Sequence, residues 1–192
     1  MSRKWLQGVD VLYAFGFERL GVVVSDLYFI DPDPMPGQAT PERGVRLELR
    51  LFECGEPTGS IYAARPITIG RPLWRVDLLQ DADAAPGTFD RTHHHPDFDG
   101  WIPGPRVFVK ELSADPLPWL AGKLSDLPAL LKETGVHPGD VAEADAAGLR
   151  AAVPEITDTV RGLLERVWAG ELGRPADGTG TGPVTSARIS WL

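Results

Sequence analysis

Three of the four histidines of this 192-residue chain sit in Asp90-Arg91-Thr92-His93-His94-His95-Pro96-Asp97-Phe98-Asp99-Gly100-Trp101, beside three aspartates and two aromatic rings. Imidazole and carboxylate are the ordinary ligands of zinc, iron, manganese and copper, which need three or four such groups converging from different directions. In an extended segment alternate residues share a side, so His93, His95, Asp97 and Asp99 project to one face and His94 to the other. Pro96 and the turn-prone Asp99-Gly100 pair interrupt that alternation. His93 and His95 are therefore the metal-ligating pair to examine, with Asp99 the first carboxylate to join them. A complete set needs a group from elsewhere, with Asp77, Glu48, Glu111 and His137 as suppliers, and the cofactor implied is a divalent metal ion.

The same groups admit two other uses. A histidine titrates near neutrality and can exchange protons with a bound molecule while Asp90 or Asp97 fixes its tautomer. Consecutive histidines in a Pro/Gly-rich loop also shape turns through local hydrogen bonds, and aspartate beside glycine is a common turn pair. Nucleophilic catalysis is excluded as a leading reading. The single cysteine, Cys54, is remote in sequence, and no Gly-x-Ser-x-Gly elbow is present. Phosphate loops, dinucleotide fingerprints and paired-cysteine zinc motifs are also missing.

The run from Gly87 through His93-His94-His95 to Asp99 resembles the first half-motif of the cupins, in which a glycine, a His-x-His pair and a glutamate share this spacing. The resemblance implies a metal held by the pair and the acid inside a jelly roll. Aspartate stands here where glutamate is usual, and Arg106 where a later glycine is expected. The chain also turns helical where a cupin would supply further strands and another histidine. The likeness therefore points to metal rather than to membership of the family.

The elements that must position these residues fall into two halves. In the first, Val11 to Phe17 and Leu20 to Ile30 read as strands. Val45 to Phe52 alternates Val45, Leu47, Leu49 and Leu51 against Arg46, Glu48 and Arg50. Ile61 to Ala64 and Leu73 to Leu79 are expected as further strands, joined by a Pro66 to Pro72 segment in which Ile67 and Ile69 are also extended, and Arg106 to Lys110 as a last one. Arg75 and Asp77 share the polar side of their strand, about 7 Å apart along it. With Arg46, Glu48 and Arg50 they read as cross-strand ion pairs on a solvent-facing surface. In a curled sheet enclosing them, an arginine would bind a ligand's carboxylate or phosphate. Arg75, Asp77, Trp101 and Arg106 are accordingly the ligand-binding candidates.

The second half changes period. Asp115-Pro116 opens an amphipathic helix carrying Leu117, Leu120, Leu124, Leu127 and Leu131, which Pro128 kinks or divides before Gly135. A weak helix near Glu143 to Leu149 and a stronger one opened by Pro154 follow, with Gly170 and Gly173 as the stop. The fold class expected is α+β: an antiparallel, curled sheet of about five to seven strands from the N-terminal half, with the C-terminal helices packed on one face. Residues 1–173 are expected to form a single globular domain, and 174–192 a Gly/Pro-rich linker with an apolar tail that carries Ile189, Trp191 and Leu192.

A net charge of −8 with scattered arginines argues against nucleic acid as a partner. No apolar run reaches the length of a membrane span or a signal peptide, and one cysteine fits a reducing compartment, so the expected location is cytoplasmic. Two functional expectations stand. One is an intracellular accessory or protein-interaction domain meeting a protein partner or a second copy of itself, with a ligand-binding His/Asp loop. The other is a metal-dependent enzyme, or a metal- or small-ligand-binding protein, using His93 and His95.

Overall fold

The computed structural model describes residues 7–31, 34, 36–137, 139, 141 and 143–175. Its centre is an open antiparallel sheet in which β1 (Gln7–Gly8), β3 (Leu20–Phe29), β4 (Glu42–Cys54), β5 (Ile67–Asp81) and β6 (His93–His95) lie side by side in that order. The further strand β2 (Leu12–Gly16) also pairs with β3. From β2 onward each strand of the sheet feeds its paired neighbour by a reversal of the chain, which explains their antiparallel pairing.

Alternation gives the sheet two unlike faces. The register aligns Val22 with Leu49 and Trp74, and Val24 with Leu47, Val76 and His94, on one face. Those aliphatic side chains and Trp74 are fully buried beneath the helices. The opposite face carries the rows Ser25, Arg46, Asp77, His93 and Val23, Glu48, Arg75, His95. The small antiparallel hairpin of β7 (Phe98–Asp99) and β8 (Ile102–Pro103) follows directly.

The helices are α1 (Lys110–Ala114), α2 (Pro116–Ser125), α3 (Leu127–Thr134) and α4 (Glu143–Trp168). The leucine stripe does divide at its proline. Asp126 ends α2 and then caps α3 by accepting from the Ala129 N–H, while Gly135, at φ 67, closes α3 in the left-handed conformation. Leu120 and Leu124 of α2 and Leu149, Ile156, Val160 and Val167 of α4 seal the apolar face.

Three local expectations are corrected. Pro154 does not open a helix; it lies inside α4, where its ring is exposed and the apolar stripe runs unbroken through Leu149, Val153, Ile156 and Val160. Burial of that stripe on the sheet outweighs one lost backbone hydrogen bond facing water. Ile61 to Ala64 is an exposed turn, because Ile61 and Tyr62 have no core above them. Arg106 to Lys110 contributes one bridge, Val107 to His94, before α1 begins. The apolar tail at 187–192 and most of its linker lie outside the described residues. Among the described residues no helix is long and apolar enough to cross a membrane.

Candidate metal centre

His93 and His95 reach the same sheet face as Asp77 through the register of β5 and β6. Asp77 is the cross-strand partner of His93, and Arg75 is that of His95. Two anchors hold this register. The reversal between the strands folds around the Gln80 amide: its Nε2–H donates to the Ala84 and Ala85 carbonyls, and its Oε1 accepts from the Gly87 N–H and from Trp168 Nε1 of α4. On the other side of β6, His94 and Val107 exchange both backbone hydrogen bonds, at 3.0 and 2.9 Å.

The two imidazoles are oriented by backbone carbonyls. His93 Nδ1 lies 2.7 Å from the Arg91 oxygen, and His95 Nδ1 lies 2.7 Å from the Gly104 oxygen. A carbonyl only accepts, so each Nδ1 carries the proton and donates it, leaving an Nε2 lone pair. Gly104 returns beneath His95 because the hairpin closes with its N–H on the Asp97 carbonyl. A Cβ at position 104 would stand 2.2 Å from Asp97 Oδ1.

Both Nε2 atoms face one oxygen. His93 Nε2 is 3.5 Å and His95 Nε2 3.7 Å from Asp77 Oδ2, and the three ligand atoms lie within 4.8 Å of one another. These separations are too long for hydrogen bonds, and the donor that Asp77 Oδ2 does accept from is Arg46 Nη2, at 3.0 Å. Ligand atoms on a tetrahedral zinc, at bonds of about 2.1 Å, are about 3.4 Å apart, so the two sides that meet at Asp77 Oδ2 are close to the size a metal requires. This His/Asp cluster can hold a metal ion.

Its electrostatics favour neutral imidazoles beside an ionised acid. Burial pushes the His93 imidazole down to about 4, against the opposing pull of Asp77, and burial also lowers His95. Burial alone would raise the Asp77 carboxyl. Arg46 more than reverses this by donating from Nε to Oδ1 at 2.7 Å and from Nη2 to Oδ2 at 3.0 Å, so the acid stays well below the usual carboxylate range. The cluster is secluded: the His93, Asp77 and His95 side chains are 1%, 2% and 8% exposed. Metal ligands must be deprotonated, and all three already are near neutral pH.

The polar face expected to meet solvent is instead half covered. Glu48 accepts from Arg50 and from Arg75, and burial, which would raise its carboxyl, is overcome by those two guanidinium groups. Phe98 lies over the Arg75 guanidinium at 5.1 Å, and Trp101 over that of Arg50 at 5.6 Å. The segment after the histidines therefore folds back over the charges that the alternation of β4 and β5 had aligned.

Of the residues singled out in sequence, His93, His95 and Asp77 come together, and Arg75 lies beside them. Asp99 is exposed on β7 and outside the cluster. Trp101 caps Arg50 rather than the cluster, and Arg106 pairs with Asp31 and Glu42. Glu111 and His137 are exposed, away from the ligand triangle. His94 does face away, packing on Trp74 and Trp119 in the core. Sequence reading did not assign Arg46 as the group that fixes Asp77; its signal was its place opposite Asp77 on the alternating polar face. No family model, curated protein or solved structure matches this chain.

Proposed function

We propose that this protein binds a divalent transition-metal ion through His93 Nε2, His95 Nε2 and an Asp77 carboxylate oxygen. One observation carries the reading. The backbone carbonyls of Arg91 and Gly104 dictate the Nδ1–H tautomer of both histidines, so two Nε2 lone pairs converge on a carboxylate whose charge Arg46 offsets. A cation entering among the three would satisfy both lone pairs at once. The donors are imidazole and carboxylate without thiolate, which suits zinc, iron(II), manganese or cobalt rather than copper(I). Three protein ligands leave coordination positions for a small molecule, the pattern of ligand-binding and catalytic metal sites rather than closed structural ones.

Elemental analysis of protein purified without a histidine tag tests this. About one equivalent of metal is expected, lost in His93→Ala/His95→Ala while far-ultraviolet circular dichroism stays unchanged. Should the double variant unfold, the single His95→Gln variant serves, with a weaker metal affinity expected. Metal-free wild-type protein that also ignores added zinc and cobalt would overturn the proposal.

A protein-interaction role is a second reading, favoured by Trp101, Ile102 and Phe108, which are exposed within one short stretch of chain. Replacing Trp101 and Ile102 by serine should abolish any self-association seen by sedimentation. An unchanged sedimentation profile in a self-associating protein would remove this face from consideration.

A further inference from the structure

The metal reading leaves the charge of the site unbalanced, and the imbalance identifies what binds there. Arg46, Arg50, Arg75 and Arg106 face Asp77, Glu48, Asp31 and Glu42, so the protein's own charges at most cancel before an ion arrives. Asp77, the single acidic ligand, is already matched by Arg46 on both oxygens. A divalent ion thus brings two positive charges that water does not neutralise. In a secluded site this favours an anion on the open coordination position.

Arg75 is the cation the site can release: its Nε and Nη2 both reach Glu48 Oε1, while Arg50 holds the other Glu48 oxygen. Glu48 is held twice, by Arg50 at 2.6 Å and by Arg75 at 2.6 Å, and Arg50 also donates to the Gly70 carbonyl. Glu48 therefore keeps a partner when Arg75 turns away from it. Arg46 has no such freedom. Arg75 stands opposite His95 in the register, and of the two imidazoles His95 is the more accessible, its side chain 8% exposed against 1% for His93. Phe98 covers the Arg75 guanidinium and also neighbours the His95 ring, at 6.5 Å between centroids.

We infer that the metal of this site takes a small organic carboxylate as co-ligand, one oxygen on the metal and the carboxylate paired with the Arg75 guanidinium, beneath Phe98. The inference rests on the metal reading above. A flat two-oxygen group matches the Arg75 guanidinium fork, which it takes over from Glu48, and the flat aromatic cover. A phosphate presents three oxygens, and the neighbouring donors Arg46 and Arg50 are already taken by Asp77 and Glu48.

Cobalt(II) serves as the probe, because its visible absorption reports the ligand set. The full chain loaded with cobalt is titrated with acetate, with inorganic phosphate and with perchlorate at matched ionic strength. Acetate should change the spectrum saturably while perchlorate leaves it unaltered, and phosphate should bind more weakly than acetate. Arg75→Gln should weaken acetate binding about tenfold, the loss of one charge-assisted pair, with cobalt affinity equal to or above wild type. Arg75→Lys, which keeps the charge without the fork, should fall between the two and covers the case in which Arg75→Gln does not fold. An acetate response absent from wild type, or identical in the Arg75 variants, overturns this inference and leaves the metal reading standing. Tighter binding of phosphate overturns the choice of carboxylate. Failure of cobalt to bind at all overturns both readings.

Discussion

At Asp77 three demands meet on one carboxylate. It neutralises Arg46, faces two imidazole lone pairs and lies in a site almost closed to water. Asp77→Asn keeps the shape and removes the charge, leaving Arg46 unmatched. Urea denaturation of the metal-free variant should show a loss of about 3 kcal/mol, and its metal content should fall with it. A second acid behaves in the opposite sense. Burial raises the Glu42 carboxyl, only partly offset by Arg106, and its Oε2 is buried with no hydrogen-bond partner among the described residues. The folded chain therefore holds the Glu42 proton to a higher pH than the unfolded chain does. Where pH rises above about 4.5, the unfolded state releases that proton first, so the group's contribution to stability declines. Glu42→Gln should remove this decline. The variant should gain midpoint relative to wild type as pH rises from 4 to 7 in denaturant titrations, and a constant difference across that range would show that Glu42 is not responsible.

The elements are tied together by buried aspartates that carry no chemistry. Asp145, in the first turn of α4, accepts from the Glu18, Arg19 and Leu20 N–H groups and so pins the helix to the hairpin between β2 and β3. Asp26 of β3 accepts from Asp10 and Val11 on one oxygen and from Gly173 on the other, binding the strand to the chain segments before β2 and after α4. At Gly44 the backbone of β5 leaves no room for a side chain on β4. A Cβ there would stand 2.0 Å from the Leu78 carbonyl oxygen, a backbone atom that cannot rotate away. Gly44→Ala should therefore force β4 and β5 apart and cost about 3 kcal/mol or more, measured by thermal or urea unfolding. Because Arg46 and Asp77 lie on these two strands, the same variant should also weaken metal binding. A Gly44→Ala protein as stable as wild type would mean that the strands accommodate a side chain at this crossing.

For the molecule as a whole, the proposed metal ligands come from two strands, and a metal held between them would favour the folded chain. Saturating zinc at about a hundredfold its dissociation constant should add about 2.7 kcal/mol, raising the melting temperature, with chelator reversing the gain. An unchanged melting temperature in the wild type would exclude such linkage. Much of this architecture was legible in sequence, since local period reports which side of a strand or helix is apolar. Alternation through Val45, Leu47 and Leu49 marked the core face, and leucine spacing with the Asp126-Leu127-Pro128 break marked α2 and α3. The spacing of His93 and His95 placed them on one side of an extended segment with His94 on the other, which is their arrangement in β6. Tertiary structure alone decided the rest. The acid beside the two histidines is Asp77, because strand register across a folded reversal is set by distant contacts such as Gln80 with Trp168 and not by spacing along the chain. Likewise the alternating charges of β4 and β5 became a secluded ion-pair layer only because the segment after the histidines folds back over them. Local pattern specifies which residues share a face; only packing determines what covers it.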